Sequence, residues 1–278
     1  MSKDGMYLCA ELGVNWDGKK ELLNRMVGDC IDAGVDAIKL QMFDTDSVRD
    51  YPLELRQRLM PMILDEIDII DIAERVHESK IDLIVTPFYL GAFKTLRELP
   101  IDGIKIRAKD WWKFEFHNAT RDWDIPVYTS VPYTMGEIDW SGVPEEIRKD
   151  KGVSMLSRTR GKKRYRVYCI PKYPPATDEL NLYMVTNFDG ISLHSPDWCD
   201  HFAAACINIK KQYDNGEKRR FYIEVHYMPT VYTGEDIHPL WARGILGRES
   251  FIDGAVSLSQ RDLESLVKAC ADLEEAIG

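Results

Sequence analysis

The chain has 278 residues, 45% of them hydrophobic, and a formal net charge of −10. Such a length can bury one large core, as a single α/β barrel of about 250 residues does. The acidic balance argues against nucleic acid or an acidic membrane surface as the main partner. No signal peptide stands out, and no apolar run approaches the ~20 residues that cross a bilayer. The six cysteines (9, 30, 169, 199, 206 and 270) are scattered without paired spacing. That pattern fits reduced thiols, so a cytoplasmic protein without a membrane or nucleic-acid partner is expected.

In chain order, Met6 to Leu12 reads as an apolar first strand, ended by Gly13 and the turn from Asn15 to Gly18. Lys19 to Ala33 follows as an amphipathic helix, with Leu22, Leu23, Met26, Val27, Cys30 and Ile31 at helical spacing and Gly34 as its stop. Asp36 to Gln41 is the second strand, Leu64 to Ser79 a helix, and Ile81 to Thr86 the third strand. Gly91 to Leu99 is helical, Gly103 to Ile106 is the fourth strand and Pro126 to Ser130 the fifth. Tyr165 to Ile170 gives the sixth strand, Asp178 to Thr186 a helix, and Asp189 to His194 the seventh strand. Asp200 to Gln212 is helical, Phe221 to His226 is the eighth strand, and Ser259 to Ile277 closes the chain as a helix.

Strands alternating with helices imply a parallel sheet, and eight strands are the number that closes a (β/α)8 TIM barrel. A doubly wound open sheet is the alternative, but no glycine-rich phosphate turn follows the first strand. The expectation is therefore an α/β fold with one domain over residues 1–278. Two stretches exceed what the barrel needs, residues 43–61 and 134–161, and are read as rim insertions that wall or cover a site. The basic run from Arg158 to Arg166 reads as a solvated hairpin around Gly161 in preference to a phosphate or acidic-partner site.

Two strand ends draw the eye toward chemistry. DGISLHSP, from Asp189, delivers Ser192 and His194, and FYIEVHY, from Phe221, delivers Glu224 and His226. Residues two apart on a strand share a face. If these strands are parallel neighbours, both imidazoles meet above the sheet and can hold one metal ion. Each histidine taken alone is ordinary for a strand end; the pair gains weight only from the barrel. In such a barrel the C-terminal strand ends converge on one mouth, which would gather Glu11, Lys39, Gln41, Thr86, Lys105, Ser130, Tyr173, Ser192, His194, Glu224 and His226. Lys39 and Lys105 lie inside apolar strands, where a buried ammonium needs an anion. That anion is either an internal glutamate, Glu11 or Glu224, or a phosphorylated and carboxylated ligand. An imine-forming lysine is a further option.

At this point the blocks AELGVNWDG, AGVDAIKLQMFD, VTPF, GIKI, YCIPKYPP with ELNL, GISLHS, IEVHY and DGAVSLSQRDLESLV, in this order, resemble the N-acetylneuraminate (sialic acid) synthase family. The resemblance implies a barrel that condenses phosphoenolpyruvate with an N-acetylated sugar aldehyde to a nine-carbon 2-keto acid and phosphate. It implies that His194 and His226 bind a divalent metal, usually manganese, with magnesium or cobalt as substitutes. It makes Lys39, Gln41, Thr86, Lys105, Ser130 and Ser192 phosphoenolpyruvate-binding positions, turns Glu11 and Tyr173 toward the sugar, and leaves Glu224 on the substrate wall. With Glu11, the two histidines are the expected catalytic residues, and a homodimer is an expected assembly. Two other readings stay open: a barrel aldolase or lyase on a related anion, and a catalytically silent binding protein.

Several positions depart from the family pattern. Trp16 stands where a histidine is usual, offering a stacking surface for a different acceptor. Ala108 stands for a serine, Leu193 for an aspartate, Val225 for a lysine, and Val131-Pro132 for a Thr-Gly turn. The chain also ends at Gly278, so the family's C-terminal antifreeze-like domain, which contacts the sugar's N-acetyl group, is expected to be missing.

Overall fold

The structure, a computed structural model, describes residues 5–134, 137–149, 163–229, 231–232, 235–236 and 252–277. Eight strands form the barrel: β1 Met6–Glu11, β2 Ala37–Met42, β3 Asp82–Pro87, β4 Gly103–Ile106, β5 Val127–Thr134, β6 Arg164–Cys169, β7 Gly190–Ser192 and β8 Phe221–Tyr227. All pair in parallel in this order, and β1 closes the ring by pairing with both β2 and β8. The fold is a (β/α)8 TIM barrel, with β7 and β8 neighbours as the strand-end argument requires.

The helices are α1 Lys20–Ala33, α2 Leu53–Leu59, α3 Glu66–Glu78, α4 Leu90–Leu96, α5 Phe114–Ala119, α6 Glu145–Lys149, α7 Trp198–Asp214 and α8 Gln260–Ile277. Their apolar stripes face the sheet; α1 buries Leu22, Leu23, Met26, Val27 and Cys30. Its end is set by Gly34 at φ +80°, whose N–H reaches the carbonyls of Cys30 and Ile31. Asp65 and Asp68 cap α3 reciprocally, and the Asp197 side chain accepts from the Cys199 N–H to start α7. All six cysteines are free thiols.

One predicted helix is corrected. Residues 178–186 form two 3-10 segments, Thr177–Glu179 and Leu182–Asn187, instead of an α-helix. Asn181 between them sits in the left-handed region at φ +39°, which an α-helix cannot absorb. The connections on either side of β5, where the periodicity gave no helix, hold the short α5 and α6.

Inside the barrel the side chains stack in two zones. The N-terminal half is filled by Tyr7, Tyr128, Tyr165 and Tyr222 in stacked contact, with the Arg220 guanidinium 3.9 Å from the centre of the Tyr7 ring. Arg220 also donates to the Tyr128 hydroxyl at 2.7 Å. Gly190 makes this packing possible, because a Cβ there would lie 2.5 Å from the Tyr222 carbonyl oxygen. Above the tyrosines comes a polar zone, and it opens on the C-terminal mouth.

Candidate active site at the C-terminal mouth

The strand register explains how the polar zone forms. Glu11 is level with Lys39 on one side and His226 on the other, Gln41 with Thr86, and Ser192 with Glu224. Alternation turns one residue of every two inward. A cavity of about 450 Å³ results, and all eleven residues singled out from the sequence line it: Glu11, Lys39, Gln41, Thr86, Lys105, Ser130, Tyr173, Ser192, His194, Glu224 and His226.

Both buried lysines meet glutamates. Lys39 pairs closely with Glu11 and lies 3.4 Å from Glu224, and it donates to the Thr86 hydroxyl at 3.3 Å. Lys105 meets Glu224 at 2.5 Å. Glu224 also accepts from the Ser192 hydroxyl at 2.9 Å and the Tyr222 hydroxyl at 2.6 Å, and Glu11 accepts from the Gln41 amide at 2.7 Å. The internal ion pair is thus realised for both lysines. Burial by itself would raise the Glu224 carboxyl, but Lys105 and Lys39 outweigh it and hold the group well below the usual carboxylate range. For Lys39, burial is likewise overcome by Glu11 and Glu224, so the ammonium is held above its ordinary value.

The contact from Tyr222 is the clearest one that the sequence reading missed, although Tyr222 shares a strand face with Glu224. Tyr222→Phe is expected to cost about 1.5–3 kcal/mol of stability, the worth of a hydrogen bond to a charged group. Urea denaturation measures it, and an unchanged midpoint with an unchanged slope would contradict the contact.

The two histidines approach with ring centres 5.3 Å apart. Burial pushes each imidazole down to about 3, with the other charges of the site as smaller contributors, so both are neutral at physiological pH. His194 sits at φ +56°, an uncommon conformation for a side-chain-bearing residue. Its Nδ1 donates to the Ile170 carbonyl at 2.7 Å, and Tyr173 lies on its other side, with the hydroxyl 2.9 Å from Nε2 and the rings stacked at 4.1 Å. On the helix side, the Ser195 carbonyl accepts from His201 Nε2 at 3.0 Å, and the Ser195 hydroxyl donates to Asp200 at 2.5 Å. Among the described residues His226 Nδ1 is buried with no hydrogen-bond partner; Asp253, at 3.7 Å, lies beyond hydrogen-bond reach. Two neutral imidazoles, one with an orphaned ring nitrogen, suit a cation. Among the described residues no group of three or more histidine, cysteine or carboxylate side chains forms a ready metal cluster.

Asp253 also went unnoticed, although it lies in the DGAVSLSQRD block. Burial and the charge of Glu11 raise its carboxyl to about 7 against the pull of Lys39. Its loop is tied to the barrel through Asn15, whose amide donates to the Tyr227 carbonyl and the Ser257 hydroxyl and whose oxygen accepts the Asp253 N–H.

One expectation fails here. Trp16 is fully buried in the core, its Nε1 donating to the Gly13 carbonyl at 3.2 Å, so it presents no stacking face to a substrate. In the basic run, Lys163, Arg164 and Arg166 stand at the N-terminal end of β6, opposite the mouth, where Lys163 pairs with Asp124 and Arg164 with Thr120. Residues 158–162 of that run, and with them the hairpin expected around Gly161, lie outside the described residues. The insertion over residues 43–61, by contrast, supplies an apolar wall of Phe43, Val48, Tyr51, Leu55 and Leu59.

Fold and site together define a TIM barrel whose mouth combines paired lysines and glutamates with two adjacent neutral histidines. The chain belongs to the NeuB family, whose model matches residues 26–211. Of the site, Glu11, Glu224 and His226 fall outside that matched span. Among solved structures, N-acetylneuraminic acid (sialic acid) synthetase from Leptospira borgpetersenii serovar Hardjo-bovis, in complex with citrate, is similar at 20% identity and a TM-score of 0.70, with 100% of this chain and 91% of that one covered. A putative spore coat polysaccharide biosynthesis protein E from Chromobacterium violaceum aligns at 17% identity and a TM-score of 0.70, over 99% of this chain and 76% of that one. An uncharacterized protein of Methanocaldococcus jannaschii, MJ1065, is 22% identical over 196 residues, 70% of this chain. The match spans 55% of that relative's own length.

Proposed function

We propose that the protein condenses phosphoenolpyruvate with a sugar aldehyde, giving a sialic-acid-like 2-keto acid and inorganic phosphate. The observation that carries this reading is the single cavity in which Lys39, Lys105, Thr86, Ser130 and Ser192 surround space next to two neutral histidines. Family membership and the citrate held by the Leptospira synthetase, itself a small polyanion, support it.

Lys105 spends one ammonium proton on Glu224. An ammonium has three donors, so it retains two for a phosphate or carboxylate oxygen, and the serine and threonine hydroxyls complete the cradle. In the condensation, the methylene carbon of phosphoenolpyruvate forms a bond to the aldehyde carbon, whose oxygen takes a proton. The cationic carbon left behind captures water, a proton is lost, and collapse of the resulting hemiketal phosphate breaks the C–O bond and expels phosphate. Glu11, fixed by Lys39 and Gln41, would accept the water's proton or orient the sugar. His194 and His226 would hold a divalent metal, manganese by resemblance with magnesium or cobalt as substitutes, which supplies Lewis-acid polarisation when bound. Tyr173 then has its hydroxyl beside the His194 edge, available to the acceptor.

The test is phosphate release from phosphoenolpyruvate with manganese, screened against aldoses and N-acetylated sugars. Acceptor-dependent release that disappears in Glu11→Gln is expected. Absence of release with every acceptor, from a protein that binds manganese, would overturn the reading.

A further inference from the structure

Beside the main cavity lies a second one, of about 300 Å³, which shares Ala108, Lys109 and Pro171 with it. The loop after β4 contributes Trp111 and Trp112, and the insertion after β5 contributes Asp139, Ser141, Gly142 and Val143. Trp111 is locked in place edge-on to Trp140, with ring centres 5.2 Å apart. The Trp112 indole N–H is buried and, among the described residues, has no hydrogen-bond partner. Asp139 is held by the Ser141 N–H at 2.8 Å and has no cationic partner among the described residues. Lys109, above the Tyr51 ring at 5.2 Å, stands where the two cavities join.

The chemistry of this space is specific. Indole rings and prolines offer an apolar slot, while a hydroxyl and a carboxylate offer directional contacts. A carbohydrate ring has both faces of that description, C–H bonds on one side and hydroxyls around its edge. Ala108, Lys109 and Pro171 line both cavities, so the two spaces adjoin, and Ala108 contributes only a methyl group to the wall they share.

We propose that the second cavity binds a second sugar ring, so that the acceptor is a reducing disaccharide whose aldehyde-bearing unit enters the main cavity. This rests on the condensation reading for the role of the main cavity alone. Atoms balance as in that reaction, the distal ring being a spectator that makes no bond.

The test uses lactose, cellobiose and N,N′-diacetylchitobiose, each against its own reducing-end monosaccharide, with tryptophan fluorescence quenching as the binding readout. Gly142→Leu is the blocking variant: among the described residues a Cβ at Gly142 meets no atom within 4 Å, so the fold should accept it while the slot fills. At least one disaccharide is expected to bind about tenfold or more tighter than its monosaccharide, a typical discrimination for a shaped pocket. Gly142→Leu should erase that difference and leave monosaccharide binding unchanged. Equal affinity for all three pairs, or a preference that survives both Gly142→Leu and Asp139→Asn, would overturn the proposal. Phosphate release, measured in parallel, separates the two ideas. Disaccharide binding that the blocking variant abolishes, without phosphate release, upholds the cavity and sinks the condensation; turnover of monosaccharides with no disaccharide preference does the reverse.

Discussion

Lys39→Met is expected to lower the unfolding free energy by about 3–5 kcal/mol, the cost of removing one partner from a buried ion pair. The residue left behind is Glu11, buried at 1% exposure and still accepting from the Gln41 amide. Glu224 fares better, since Lys105, Ser192 and Tyr222 still hold it. Phosphoenolpyruvate affinity should fall at least about thirtyfold in the same variant, the lower end of what loss of one buried charged partner costs in a complex. The two effects separate in the double variant Lys39→Met/Glu11→Gln. It removes the stranded charge and should recover most of the stability without recovering the ligand. Guanidinium denaturation and calorimetric titration measure the two quantities. Parental affinity in either variant would remove Lys39 from the anion site. The pH sign follows from the raised Lys39 value: its contribution to stability is present through neutral pH and is lost only as pH climbs past the ordinary lysine range.

The second large effect concerns the histidines. His226→Ala is expected to reduce manganese affinity by more than the 10- to 100-fold that loss of an outer-sphere partner costs, read directly by titration calorimetry or by the manganese electron-spin signal. The stability cost should be that of the lost ring packing alone, because among the described residues the buried Nδ1 of His226 has no hydrogen bond to lose. His194 behaves differently, since its backbone lies at φ +56°. There His194→Gly should be more stable than His194→Ala by about 1–2 kcal/mol, the penalty for a side chain in the left-handed region, while both lose the metal. Unaltered manganese binding in His226→Ala would dissociate this pair from metal chemistry.

Much of the barrel is legible in the sequence because its strands are covered on both faces and read as near-continuous apolar runs. The inward residues could be named for the same reason: polar side chains embedded in such runs must face something other than the helices. What the sequence leaves open depends on contacts across strands. Whether Lys39 meets a glutamate or awaits a ligand turns on the register that sets it level with Glu11, and nothing local to AIKLQ specifies that register. Trp16 shows the same blindness at a loop. An aromatic next to a mouth can line it or plug the wall behind it, and the hydrogen bond to Gly13 three residues back turns the ring inward. The segment from 178 to 186 has helical spacing of its apolar residues, yet the left-handed Asn181 splits it, a backbone choice made by the turn and not by the apolar pattern. The second cavity needs two loops from different strands to come together, which no single stretch encodes.

The tyrosine stack in the N-terminal half gives the barrel a floor. Tyr7, Tyr128, Tyr165 and Tyr222, braced by Arg220, fill the space beneath the lysine and glutamate zone. Traffic through the barrel axis is therefore one-way in and the same way out. Whatever occupies the floor-level seat beside Lys105 must arrive before a ligand that lodges nearer the rim, and it departs only after that ligand has gone. A two-substrate reaction in such a cul-de-sac has its order of arrival dictated by depth. Steady-state kinetics would then show the deep ligand as the leading substrate, and the rim ligand at high concentration would trap it in place.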